Sequence, residues 1–203
     1  MKKTYYYKIL FTGILLAALL TGCGGENRED TAGDRESTGS SSVQAAAEVS
    51  AEAGEEETSG IAFTCQDMDG NSVSETVFSE SKLTMVNVWA TYCNPCLSEM
   101  PGLGELAGEY EQGEFQIIGI ISDVMEGADA ATMDNAAALI EKTGANYTHL
   151  LLNESIYYAL LTEVTAVPTT FFVNENGVVV DTVIGAMEKT VLEEKIDALL
   201  ENS

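Results

Sequence analysis

The chain has 203 residues, enough for one ordinary domain with extensions, and 45% of them are hydrophobic, enough for a real core. Against 33 Asp and Glu stand 9 Lys and Arg, a formal charge of −24 at pH 7. That excess argues against nucleic acid and anionic lipid headgroups as electrostatic partners; its plainest use is a solvated surface, and it selects no particular substrate.

The first residues, MKKTYYYK, carry Lys2, Lys3 and Lys8, and an apolar run follows at 9–20. The run is short for a bilayer span but suits the core of a signal peptide. It ends in Leu20-Thr21-Gly22-Cys23, which resembles the lipobox of bacterial lipoproteins. The resemblance implies that residues 1–22 are a signal peptide and that Cys23 is lipidated, placing the rest of the chain outside the cytoplasmic membrane. Loss of 1–22 removes three Lys and no acid, leaving −27, so attachment to the membrane would rest on the lipid alone. Residues 23–60 read as a disordered acidic tether: no aromatic appears, and Gly, Ser, Thr, Ala and Glu dominate. A coil of that length reaches roughly 30–35 Å.

The domain expected over 61–203 begins with a hairpin, IAFTCQDM and NSVSETVF around Asp69-Gly70. LTMVNVWA (83–90) is a β-type apolar run. Over 94–112, Cys96, Met100, Leu103 and Leu106 recur at helical spacing, with Pro101 expected to kink the helix. FQIIGIIS (115–122) reads as a buried strand, 129–144 as a helix ending on Gly144, and 147–152 as a strand. ESIYYALLTEV (154–164) reads as a helix in which Tyr157 and Tyr158 pack. A hairpin over 169–185 turns at Asn174–Gly177, and an amphipathic helix over 188–202 lays Val191, Leu192, Ile196, Leu199 and Leu200 on one side. Crossovers long enough for parallel pairing and a late antiparallel hairpin define an α/β fold: a central mixed sheet with helices on both faces.

WATYCNPCLSEMP (89–101) holds Cys93 and Cys96. Zinc would need two further ligands, and only His149 and Cys65 remain. A structural disulfide here would close a loop too short to stabilise much. Redox exchange accounts for the position. The pair sits where a strand gives way to a helix, whose N-terminus favours a thiolate. Cys93, exposed at the tip, would attack a substrate disulfide, and Cys96, covered one turn inward, would resolve the mixed disulfide. Pro95 stiffens the turn and removes one N–H.

The segment resembles the active site of the thioredoxin superfamily and is most similar to its TlpA/ResA-like branch of extracytoplasmic thiol-disulfide oxidoreductases. Asn87 stands where cytoplasmic thioredoxins carry a buried Asp, Glu99 matches the branch's acid beside the cysteines, and 123–152 matches its inserted α-β element. AVPTTFFVNENG (166–177) supplies the second motif. The resemblance implies a thioredoxin-like fold, a cis peptide before Pro168, and Val167 offering its backbone to a substrate. It further implies substrate contacts at Trp89, Tyr92, Asn94 and Pro95, with Tyr92 replacing the usual Trp. Glu99 is either an exposed helix acid or a partly buried carboxyl, raised in pKa, that ferries protons to and from Cys96. Trp89 divides between core packing and shaping the site, Cys65 reads as an inert buried thiol, and His149 as structural.

The function implied is reduction of disulfides in exported proteins, of apocytochrome c or methionine sulfoxide reductase type, by a monomer recharged from a membrane electron donor of the CcdA/DsbD type. No metal or organic cofactor is expected, because the Cys93–Cys96 dithiol carries the electrons. A peroxiredoxin-like thiol peroxidase is the main alternative, but it needs an Arg, and none occurs from Ile61 onward. Copper delivery of the Sco type calls for a Cys-x-x-x-Cys spacing, and a solute-binding lipoprotein would leave both motifs unexplained.

Overall fold

The structure is a computed structural model that describes residues 60–203; the expected signal peptide, Cys23 and nearly all of the tether lie outside the described residues. Strands β1 (Thr64–Gln66) and β2 (Ser72–Ser74) form a small antiparallel hairpin. β2 stops earlier than the sequence pattern indicates: the Ser74 side chain accepts from the N–H of Thr76 and starts a 3₁₀ helix over Glu75–Glu80, which buries Phe78.

Five strands make the main sheet, β3 (Leu83–Trp89), β4 (Phe115–Met125), β5 (Thr148–Leu152), β6 (Thr169–Asn174) and β7 (Val179–Ile184), in the order β5-β4-β3-β6-β7. β3, β4 and β5 run parallel; β6 lies antiparallel to β3 and β7 to β6. β3 is central, and all seven of its residues are buried, as its unbroken apolar run requires.

Helix α1 (Asn94–Ala107) continues through Pro101 without interruption and buries Cys96, Met100, Leu103 and Leu106, the spacing seen in the sequence. It packs beside α2 (Ala130–Thr143) and α4 (Lys189–Glu201). α2 starts on Asp129, whose carboxylate accepts from the N–H of Thr132, and stops on Gly144 at φ +68°, a conformation that favours glycine. The opposite face of the sheet is covered by the hairpin and by α3 (Glu154–Ile156), which continues as a π-helical turn over Tyr157–Leu161. That wider turn changes the facing of its side chains. Leu160 and Leu161 go inward, whereas Tyr157 and Tyr158 are exposed and do not pack as a regular helix would place them. On α4, Leu192 and Ile196 enter the core, but Val191 is exposed.

Candidate active site

The site is built where β3 ends. Ala90 O accepts from the N–H of Cys93 at 3.0 Å, closing the turn that carries Thr91 and Tyr92. Asp123, in the break in β4 pairing between Ile121 and Met125, clamps that turn by accepting from Thr91 N and, at 2.6 Å, from Thr91 Oγ1. Cys93 is the N-cap of α1, with its Sγ accepting from the N–H of Cys96 at 3.2 Å. Cys93 and Cys96 are joined as a disulfide, Cα to Cα 5.3 Å. Both cysteines are buried as residues: Cys93 is 5% exposed and Cys96 0%, so the tip cysteine is less open than its position in sequence indicates. Tyr92, Asn94 and Pro95 form the exposed rim.

The second motif arrives from 72 positions further along. The Val167–Pro168 peptide is cis, Pro168 is buried, and half-buried Val167 packs into the apolar cluster that contains both cysteines. Beside it runs a groove of about 250 Å³ lined by Tyr92, Ser122, Leu152, Tyr157 and Leu161 and by Val164–Val167.

Trp89 does not reach this surface. It is 0% exposed, so the substrate contact expected of it is not available; the side chain lies under the pair instead. Its Nε1–H donates to His149 Nδ1 at 3.2 Å, and His149 Nε2–H donates to Ala145 O at 2.9 Å, which assigns the neutral imidazole to the Nε2–H tautomer. Burial pushes the His149 pKa down to about 4. His149 is thus a structural link, as expected. Cys65 is buried, and burial together with the charges of Glu126 and Asp67 pushes its thiol up to about 12, leaving it inert at neutral pH.

Glu99 is buried, not an exposed helix acid. Its Oε1 accepts from Asn87 Nδ2 at 2.9 Å and its Oε2 from the N–H of Met187 at 3.1 Å. Burial raises its pKa above the ordinary carboxylate range, and the two hydrogen bonds oppose that rise without cancelling it. Glu99 stands three residues after Cys96 on α1, so the two share a face. A cleft of about 220 Å³, lined by Ser98, Gly102, Met187 and Lys189, opens Glu99 to the outside on the flank of α1. Sequence reasoning missed the partners of this carboxyl. A polar Asn87 inside an apolar strand was the available signal; Met187, 88 residues from Glu99, gave none.

A carboxyl held above its unfolded pKa contributes stability below the ordinary value of 4.5, and that contribution is lost as pH rises through the raised folded value. Glu99→Gln is therefore expected to gain stability relative to the parent as pH rises from 4.5 towards neutrality, by about 1.4 kcal/mol per unit of pKa elevation. His149 acts in the opposite sense, losing stability as pH falls from 6.5 towards 4. Urea titrations of the parent and the variant across pH 4–8 separate the two, because the substitution removes only the Glu99 contribution; a constant gap between the two proteins would contradict a raised carboxyl.

With the geometry established, known proteins give it context. Residues 58–182 match the AhpC/TSA family. The chain belongs to this family. It is similar to the thiol-disulfide oxidoreductase ResA of Halalkalibacterium halodurans, 28% identical over 149 residues, covering 73% of this chain and 78% of that protein. It is also similar to the thioredoxin-like protein YneN of Bacillus subtilis, 30% identical over 126 residues, 59% of this chain and 66% of that one. A thiol:disulfide interchange protein of the thioredoxin family from Chlorobium tepidum shares the fold at TM-score 0.59, with 22% identity over 70% of this chain and 96% of that chain. The fold is thioredoxin-like, and the chain is a thiol-disulfide oxidoreductase of the ResA-like kind.

Proposed function

We propose that the protein reduces disulfides of other proteins through Cys93 and Cys96. The observation that carries the direction is electrostatic. An oxidising dithiol is one whose reduced, thiolate form is strongly stabilised. Here Cys93 Sγ receives the N–H of Cys96, but among the described residues no basic side chain bonds to the pair. Residues 60–203 hold 23 acids and four Lys, a formal charge of −19. Three of those Lys are engaged by Glu114, by Glu105 and Glu109, and by Asp181. Buried cysteines in an acidic domain disfavour the thiolate, and so favour giving the electrons away.

The reaction then runs in two exchanges. The Cys93 thiolate attacks a substrate disulfide, a Cys93–substrate bond forms, and the first substrate sulfur leaves and takes a proton from water. Cys96 gives its proton to Glu99 and attacks Cys93 Sγ; the Cys93–Cys96 bond forms and the second substrate sulfur leaves. The substrate gains two electrons and the protein is left as the disulfide. Glu99 passes its proton to solvent through the cleft on the flank of α1. The electrons need no other cofactor, since the sulfurs carry them.

Tyr92, 74% exposed, forms one wall of the groove beside Val167 and would contact the residues flanking the substrate cysteine. Tyr92→Ala is expected to raise KM for a protein disulfide by three- to tenfold, about 1 kcal/mol, while leaving reduction of the pair by dithiothreitol unchanged. Equal effects on both would place Tyr92 in the chemistry and not in recognition.

The family match bears on the peroxidase alternative, which requires an Arg behind its reactive cysteine, and none follows Ile61. The cellular setting we propose rests on the N-terminal sequence and the named relatives: a lipid anchor at Cys23, action as a monomer outside the cytoplasmic membrane, exported substrates such as apocytochrome c or a methionine sulfoxide reductase, and a CcdA/DsbD-type donor. The Cys96→Ser trap described in the Discussion tests the reading and identifies the substrate.

A further inference from the structure

The proton that Glu99 is proposed to take up must be accommodated in the core. Asn87 is 0% exposed, and its Nδ2 donates both to Glu99 Oε1 and, at 3.2 Å, to Thr170 Oγ1. Its Oδ1 is buried with no partner. A buried amide oxygen left unpaired forfeits its hydration without return, so this orientation answers only one state of its surroundings. The bonding explains which. An ionised carboxylate accepts and cannot donate, so it needs the Nδ2 end of the amide. A protonated carboxyl must donate, and next to Nδ2 its hydrogen would find no acceptor.

We propose that Asn87 is the positioning residue that lets Glu99 change its proton inside the core, by turning its amide through a half rotation about χ2. This rests on the reading of Glu99 as proton carrier. With Glu99 ionised, Nδ2 faces Oε1 and Thr170. With Glu99 protonated on Oε1, Oδ1 faces both, accepting from the carboxyl and from the Thr170 hydroxyl. Met187 N–H stays on Oε2 in either state. Thr170 suits both arrangements because a hydroxyl accepts or donates as required. It is also the register partner of Asn87 across β3 and β6, two residues beyond Pro168, so the rearrangement ends beside the loop that faces the cysteines. An Asp at position 87 would offer no donor to the ionised carboxyl and would add a second acid. The other titratable groups around Glu99 are Cys96 on the same helix, Tyr147, whose phenol is raised by burial and by the charge of Glu99, and Glu188 and Lys189 at the cleft, the latter engaged by Glu105 and Glu109. None of them donates a hydrogen bond to either carboxyl oxygen among the described residues, so Asn87 and the Met187 N–H carry that task.

The test uses the oxidised protein, in which neither active-site sulfur titrates. The side-chain amide signals of Asn87 and the carboxyl carbon of Glu99 are followed by NMR from pH 4 to 9. Both are expected to move with one midpoint, and Glu99→Gln is expected to hold the Asn87 signals flat. Asn87→Leu and Asn87→Asp are each expected to raise the Glu99 midpoint by about half a pH unit or more, through loss of the donor to the ionised form. Asn87 signals that stay flat while Glu99 titrates in the parent protein overturn the proposal with no variant required. So does an unchanged Glu99 midpoint in a folded Asn87 variant. A coupled amide titration in a protein whose Cys96 resolution rate is unchanged by Glu99→Gln would retain the amide rotation and reject the proton-carrier role of Glu99, so the two failures are distinct.

Discussion

Cys96→Ser is expected to stop the reaction halfway. Cys93 stays at the N-cap of α1, and the N–H that donates to its Sγ belongs to the backbone of residue 96, so the variant keeps the attacking thiolate. What it lacks is the sulfur that resolves the mixed disulfide. Turnover with a protein disulfide should fall about a thousandfold or more, while a covalent adduct on Cys93 accumulates and survives until a reductant is added. Cys65 offers no internal rescue, because it is buried in the N-terminal hairpin with its thiol held near 12. Cys93→Ser should lose turnover equally but form no adduct. Mass spectrometry of the trapped species gives both the site of attachment and the partner. An adduct on Cys96, or equal trapping by both variants, would reverse the order of attack.

The second large effect concerns the floor of the site. Gly119 of β4 is the register partner of His149 on β5, and a Cβ there would stand 2.2 Å from His149 Nδ1. The ring has nowhere to go: Nε2 is bound to Ala145 O, Trp89 donates to Nδ1, and Tyr147 lies on the ring at a centroid distance of 4.5 Å. Gly119→Ala must therefore either expel His149, leaving the indole N–H of Trp89 unpaired beneath the cysteines, or pry β4 from β5. Overpacking and a lost buried hydrogen bond together come to about 3 kcal/mol or more. For a domain of this size the unfolding midpoint should drop by about 10 °C, and emission from Trp89, the sole Trp, should change even in the folded state. Removing the imidazole as well, in Gly119→Ala/His149→Ala, should make the two substitutions strongly non-additive. A midpoint within a degree or two of the parent would show that β5 yields more easily than this packing allows.

Much of the fold was legible because its signals are local. The Asn174–Gly177 turn, the Gly144 stop of α2, and the Cys96-Met100-Leu103-Leu106 stripe each fix a neighbourhood of a few residues, and each is found in place. The errors share a cause as well. Ser74 caps a 3₁₀ turn that competes with the strand, and the π turn at Tyr157 shifts the facing of a segment whose composition still reads as α-helix. Val191 lies close to the apolar stripe of α4 but outside its buried seam. In the site, the cysteines and Pro168 were legible as motifs. Trp89 misled because its place beside the pair in sequence says nothing about which face of the sheet it takes. The Asn87–Glu99–Thr170 cluster was hidden because it spans 12 and 83 positions and exists only once α1 and β6 are packed on β3.

The central claim is that an acidic, cation-poor setting makes this pair an electron donor. Its most direct test is the reduction potential of Cys93–Cys96, equilibrated against dithiothreitol and glutathione mixtures and read from Trp89 fluorescence. The expected result is a single two-electron transition near the thioredoxin value of about −270 mV. A value near about −120 mV, where the thiolate of a strong oxidant is stabilised, would contradict the claim.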